Sequence, residues 1–199
     1  GGLMPLILGS QSAVDTGFAI DNSCRFNDAD AARLSRANGT SSNEKIGTIS
    51  FWLKLGIMGI GDRFILDGRI DSSNRFKFAL NANDVIEFWG TNGGSTDIDL
   101  STNRKLRDPA AWMHIVMRID TTQASENDRA RLYINGVDER TVGGYSVDTI
   151  PAQDSTDIVF FEDTADLYIG TYYNGTNPYD GYLADVIYCD GQSYAPTEF

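Results

Sequence analysis

The chain has 199 residues, a length that suits one large domain and buries a substantial core without help from disulfides or metal. Its 28 acidic residues outnumber 16 basic ones, and the net charge of −12 disfavours nucleic acid or an anionic membrane surface as a partner. No stretch approaches the run of about 18 apolar residues that spans a bilayer, and two cysteines 165 positions apart, with no paired-cysteine motif, argue against a zinc site.

The acids are 22 Asp and only 6 Glu. Asp favours turns and Glu favours helices, so the bias points to strands and loops. It also supplies hard oxygen ligands of the kind Ca²⁺ takes. Residues 1–21 read as an N-terminal extension, with Gly1, Gly2 and Leu3 an added stub ahead of a natural Met4, and residues 22–199 read as one domain. Residues 28–34 are the best helix candidate, too short to hold as a helix alone.

From there the chain alternates. Residues 48–54 place Ile49, Phe51 and Leu53 on one face, and residues 75–80 do the same with Phe76, Phe78 and Leu80. Residues 85–89 follow after a short turn. Residues 112–120 set Met113, Ile115, Met117 and Ile119 against Trp112, His114, Val116 and Arg118. Residues 131–134, 166–170 and 181–189 complete the predicted strands. Residues 121–128 and 145–157 read as loops. Asn-Gly at positions 38, 92, 135 and 174, and Asp-Gly at 67, 180 and 190, are the dipeptides that tight hairpins favour. Many short strands, frequent turns and no strong helix predict an all-β, two-sheet antiparallel sandwich.

Five segments, in order, carry a resemblance. Residues 23–27, 49–54, 111–116, 132–136 (Leu-Tyr-Ile-Asn-Gly) and 167–170 with 180–186 resemble the strands of laminin-G-like domains of the concanavalin A-like lectin-glucanase jelly rolls. The resemblance runs from Asn22 to Phe199 and implies that fold. Residues 181–186, 190–192 and 196–199, with residues 4–10, 106–112 and 120–124, are similar to domains in tail or fibre proteins of marine bacteriophages. That likeness implies a structural or adhesive domain on a virion, with glycan or other virion proteins as partners and self-association left open. The alternatives are a carbohydrate-binding module of a cellular, extracellular protein and a polysaccharide-cleaving enzyme of the same fold.

Hydrolases of this fold carry a Glu-x-Asp-x-x-Glu strand. Residues 162–166 come nearest and lack the second Glu. There is no Gly-x-Ser-x-Gly elbow, and the lone histidine, His114, sits in a strand motif that the fold uses structurally. The expectation is therefore no catalytic residue and no obligatory cofactor. Asp163, Asp166 and Asp180 are the candidates for Ca²⁺. Sugar rings stack on aromatic faces while amides and acids bond their hydroxyls, so Tyr172, Tyr173, Asn174, Asn177 and Tyr179, with Trp89 as a second aromatic, are the glycan-contact candidates. Trp52 and Trp112 are expected in the core. The Asn38 and Asn174 sequons read as turns. The fold pairs its first and last strands, which hold Cys24 and Cys189, so the two are expected close together as free thiols.

Overall fold

The computed structural model of the chain describes residues 20–37, 39–156 and 164–199. Residues 1–19, Asn38 and residues 157–163, with Asp163 and Glu162 among them, lie outside it. Among the described residues the strands are β1 (Cys24–Phe26), β2 (Leu34–Ala37), β3 (Ile46–Leu55), β4 (Arg63–Arg69), β5 (Arg75–Leu80), β6 (Val85–Asn92) and β7 (Ser95–Lys105). They continue with β8 (Met113–Asp120), β9 (Ala130–Ile134), β10 (Val137–Asp138), β11 (Tyr145–Thr149), β12 (Asp166–Ile169) and β13 (Gly181–Asp190). Single helical turns, α1 (Glu126–Arg129) and α2 (Glu139–Val142), interrupt them.

The strands form two antiparallel sheets. The first has the order β1-β13-β3-β8-β9-β10 and the second β11-β7-β6-β5-β4-β12-β2. This is the expected two-sheet sandwich, and alternation builds it. Ile49, Phe51 and Leu53 of β3, with Met113, Ile115, Met117 and Ile119 of β8, turn inward from the first sheet. Leu66, Phe76, Phe78, Leu80, Ile86, Phe88, Ile98 and Leu100 meet them from the second. Phe78 stands edge-on to Phe51 across the sandwich, with centroids 5.1 Å apart, and to Phe88 at 5.3 Å. Edge-to-face contact is the favoured arrangement of such rings and adds to their burial.

Besides the two-residue β10, four strands were not legible as strands. β2 is exposed throughout, and β7 shows its alternation only at Ile98 and Leu100. β11 occupies a stretch expected to be loop, pairing with β7 at the sheet edge. β4 contains Asp67-Gly68, which is not a turn: Gly68 faces inward because the ring of Phe76 fills the place where a Cβ would stand. The other turn dipeptides behave differently again. Asn135 and Gly136, between β9 and β10, both take positive φ (52° and 77°), the type I′ signature. Between β6 and β7 the turn is made by Gly93 and Gly94 instead, with φ of 58° and 82°.

Two expectations are corrected here. Trp52 and Trp112 are half-buried on the outside of the first sheet, not in the core. Trp52 stacks on His114 with centroids 4.8 Å apart, and Trp112 stands edge-on to Tyr182. His114 is buried, shares a 2.8 Å hydrogen bond with the Ser50 hydroxyl, and is held below its ordinary pKa by burial. The chain after β13 closes over this face: the Thr48 hydroxyl donates to Gln192 O at 2.9 Å, Tyr194 N–H donates to that hydroxyl at 2.9 Å, and Phe199 lies edge-on to His114.

The cysteines are the second correction. β1 and β13 pair antiparallel as expected, but the register sets Cys24 opposite Leu183, while Cys189 lies opposite Thr48. Six residues of strand separate Leu183 from Cys189, a distance on the order of 20 Å. The strand pairing was legible and the register was not. Both thiols are free.

Because Phe78 is fully buried between two rings and Trp112 is half-exposed, their truncations should differ. Phe78→Ala should cost about 3–5 kcal/mol in urea unfolding and Trp112→Ala less than half as much. Equal losses would contradict the placement of Trp112 outside the core.

Candidate functional site

Alternation that sends Phe76, Phe78 and Phe88 inward sends their neighbours out. On the outer face of the second sheet the register lines up Asp67, Lys77, Trp89 and Asp99 from β4, β5, β6 and β7. Arg69 and Arg75 form the adjacent pair. Asp67, Lys77 and Trp89 of this row floor an open cleft of about 390 Å³, lined also by Asp62, Phe64, Arg75, Glu87, Tyr172, Thr176 and Asn177 among others. That volume falls in the range of small-ligand sites.

The wall is the loop between β12 and β13. Tyr172 N–H donates to Thr176 O at 3.1 Å and Gly175 N–H to Tyr172 O at 2.8 Å, closing the loop on itself. The Asn174 side chain accepts from Thr176 N–H and from its hydroxyl, at 3.1 and 2.7 Å. The Asn174-Gly175-Thr176 sequon is thus a turn, as expected. Phe64 N–H donates to Asn177 O at 2.9 Å and ties the loop to β4. Tyr172 packs on Phe64 with centroids 5.0 Å apart, and its hydroxyl accepts from both Arg69 and Arg75, at 2.8 and 2.9 Å. Those two donors fill the phenol's acceptor positions and leave its O–H as the remaining hydrogen-bonding group. Tyr173 lies under the Arg69 guanidinium at 4.1 Å.

Charge within the cleft is largely compensated. Lys77 Nζ lies 2.9 Å from Glu87 and 3.9 Å from Asp62, and 5.7 Å from the Trp89 ring centroid. Arg75 sits over the same ring at 5.0 Å. Asp67 is fully buried at the floor: its Oδ2 accepts from Tyr173 N–H at 2.9 Å, and its Oδ1 has no partner. Burial pushes its carboxyl up to about 7, against the opposing pull of the Tyr173 N–H, Arg69, Arg75 and Lys77.

The sequence candidates divide. Trp89, Tyr172 and Asn177 converge on the cleft, and Tyr173 stands beside it on Arg69. Asn174 is exposed and spent on its turn. Tyr179 is a correction: it is fully buried, its hydroxyl donates to Lys54 O at 2.8 Å, and burial raises its pKa. It belongs to the core, out of reach of a ligand. The residues missed were Asp67, Arg75, Lys77 and Glu87. The outward positions of Arg75, Lys77 and Glu87 follow from the alternation of strands 75–80 and 85–89, whereas Asp67 lies on β4, where Asp67-Gly68 reads as a turn.

Of the calcium candidates, Asp166 and Asp180 are among the described residues. Asp166 is exposed on β12, and Asp180 is held by Arg25 at 3.0 Å next to β13. Asp163 lies outside the described residues, and among those described no three His, Cys, Asp or Glu side chains group as metal ligands. A second groove of about 400 Å³, lined by Cys24, Phe26, Leu34, Ile169 and Val186 among others, is mainly apolar.

Asp67 makes stability depend on pH. Its folded-state pKa, about 7, lies above the ordinary 3.8, so the folded chain holds a proton that the unfolded chain releases. Its contribution is intact below the unfolded value and is lost as pH rises through the folded one. Asp67→Asn removes the ionisation, so between about pH 4 and pH 8 the variant should gain on the parent by up to roughly 4 kcal/mol. Thermal melts across that range check this; parallel pH profiles would contradict it.

Comparison with known proteins agrees with the architecture. The family model described as the concanavalin A-like lectin/glucanases superfamily matches residues 26–191. The sialidase carbohydrate-binding domain CBM40 of Ruminococcus gnavus, solved bound to α2,3-sialyllactose, is similar at TM-score 0.56 and 13% identity, covering 89% of this chain and 95% of that one. Domain 4 of AbnA, an extracellular arabinanase of Geobacillus stearothermophilus, solved with arabinotriose, gives TM-score 0.53 and 15% identity, covering 83% and 69%. Mouse laminin α1 domains LG4-5 give TM-score 0.57 and 12% identity, covering 89% of this chain and 44% of that one. A search of the curated proteins gave no match. At these identities the structural likenesses are likenesses of fold. The family match spans most of the sequence, and the chain belongs to the concanavalin A-like lectin/glucanase superfamily.

Proposed function

We propose that the chain is a non-catalytic glycan-binding domain and that a short saccharide lies in the cleft over β4, β5 and β6. The observation that carries this reading is the convergence of two aromatic residues, Trp89 and Tyr172, with Asn177, Lys77, Glu87 and Asp67 around one open cleft. Aromatic rings take the apolar face of a sugar, and fixed polar groups orient its hydroxyls. The arabinotriose and sialyllactose complexes of proteins sharing the fold support a carbohydrate as the ligand class. The likeness of residues 181–199 to phage tail and fibre domains supports display on a virion. There, weak contact at each copy is multiplied by the number of copies. On a cellular protein the same cleft would serve as a carbohydrate-binding module.

One observation favours hydrolysis instead. The Asp67 carboxyl, pushed up to about 7 by burial, shares the cleft with a second carboxyl, that of Glu87, and a raised carboxyl beside another is an arrangement that acid catalysis uses. Two features weigh against it. Asp67 is fixed at the floor by the Tyr173 N–H, which donates to its Oδ2 at 2.9 Å, and Glu87 is held by Lys77 at 2.9 Å. A glycosidase pair must flank the bond it cleaves. We therefore read Asp67 as a floor and not as an acid.

Immobilised glycans that include arabinotriose and sialyllactose test both readings. Binding should appear without release of reducing sugar. Trp89→Ala should lower affinity at least about tenfold, with a melting temperature close to the parent's, because Trp89 lies on the outer face. Release of sugar would overturn the non-catalytic reading, and undiminished binding by Trp89→Ala would move the site elsewhere.

A further inference from the structure

Several buried side-chain nitrogens and oxygens in the described residues have no hydrogen-bond partner, and two of them belong to residues that line the cleft: Asp67 Oδ1 and Arg75 Nε. One is an acceptor and the other a donor. An orphaned buried polar atom costs about 1–3 kcal/mol, so both stand as demands that something entering the cleft can meet. They are neighbours on one face. Asp67 is opposite Lys77 in the register, and Arg75 lies two residues before Lys77. This is the diagonal relation, about 7–8 Å between Cα atoms and within reach of a long side chain.

The chemistry that meets an acceptor and a donor together is the hydroxyl group, which can both give and take a hydrogen bond. We infer that hydroxyls of a bound sugar satisfy both atoms, donating to Asp67 Oδ1 and accepting from Arg75 Nε–H, and that the cleft takes neutral sugar rings in preference to carboxylated ones. The inference rests on the saccharide reading above and adds a ligand class to it. The charges lining the cleft agree: Asp62 and Glu87 balance Arg75 and Lys77, Lys77 is already taken by Glu87, and Asp67 adds a negative charge as pH rises through its raised pKa. A sugar carboxylate would meet Asp67 at the floor. Side-chain adjustment on binding, ordinary at such sites, brings a hydroxyl onto these shielded atoms.

Asp67 also gives the test a pH axis. The groups that face it are Arg69 on its own strand, Arg75 and Lys77 on β5, Tyr168 opposite it on β12, and Tyr172 and Tyr173 from the loop, with Glu87 beyond Lys77. A hydroxyl that donates to Oδ1 favours the ionised carboxyl, because hydrogen bonds to a charged acceptor are the stronger kind. Affinity for a neutral sugar should therefore rise as pH passes upward through the Asp67 titration.

The full chain is titrated by NMR with glucose, galactose, mannose and arabinose, and with glucuronate and galacturonate. Measurements are made at about pH 5.5 and about pH 8.5, either side of the Asp67 transition. At least one neutral sugar should bind, up to about tenfold tighter at the higher pH. Its uronate counterpart should bind more weakly, by the widest margin at the higher pH. Asp67→Asn, checked for folding by its melting temperature, should bind more weakly than the parent at the higher pH and with a flat pH profile. Neutral binding that is equal at both pH values and unchanged in Asp67→Asn overturns the inference and leaves the saccharide reading standing. Uronates bound more tightly than their neutral counterparts overturn the ligand class. Absence of binding to every sugar, with no binding to immobilised glycans either, overturns both.

Discussion

Phe51, Phe78 and Phe88 stand edge to face through the middle of the sandwich, and their seating sets the rest of the molecule. Side chains on a strand alternate with a period of two, so a slip of one residue would bring every inward group out and every outward group in. With Phe76 and Phe78 fixed on β5, Arg75 and Lys77 have only the outer face. With Phe88 fixed on β6, Glu87 and Trp89 have only that face too. The cleft is thus the reverse side of the aromatic core. A change that loosened the packing of Phe78 would misplace the binding groups without touching one of them.

The same constraint explains what could be seen in advance. Strands 48–54, 75–80 and 112–120 are amphipathic enough that both their existence and their inward faces were legible, and the turn at Asn135-Gly136 followed from the positive φ it needs. β2 and β11 lie at opposite edges of the second sheet and show little buried pattern. Asp67-Gly68 failed as a signal because one dipeptide serves two purposes. In a turn the glycine supplies positive φ. In β4 it supplies room for the ring of Phe76, while the aspartate is set into the cleft.

Half of the candidate site was legible for a chemical reason and half was hidden for a geometric one. Aromatic and amide residues in one loop are a recognisable pattern, and Tyr172 and Asn177 reached the cleft with Trp89. Nothing in the pattern distinguishes Tyr172 from Tyr179. The chain turns inward after Asn177, where φ is 52°, and Tyr179 passes beneath Gly181, whose Cβ would stand 2.5 Å from the tyrosine hydroxyl. Charged residues brought together from three strands are close only in the folded register, so Asp67, Arg75, Lys77 and Glu87 could not be recognised as a group from their spacing.

The account's central claim is that the outer face of β4 to β6 is where a ligand sits. The chain has three tryptophans, and each indole N–H gives its own NMR resonance. Trp89 lines the cleft, whereas Trp52 and Trp112 lie on the outer side of the other sheet, against His114 and Tyr182. Addition of a saccharide that binds should move the Trp89 indole resonance and leave the other two in place. Movement of Trp52 or Trp112 with Trp89 unmoved would contradict the account.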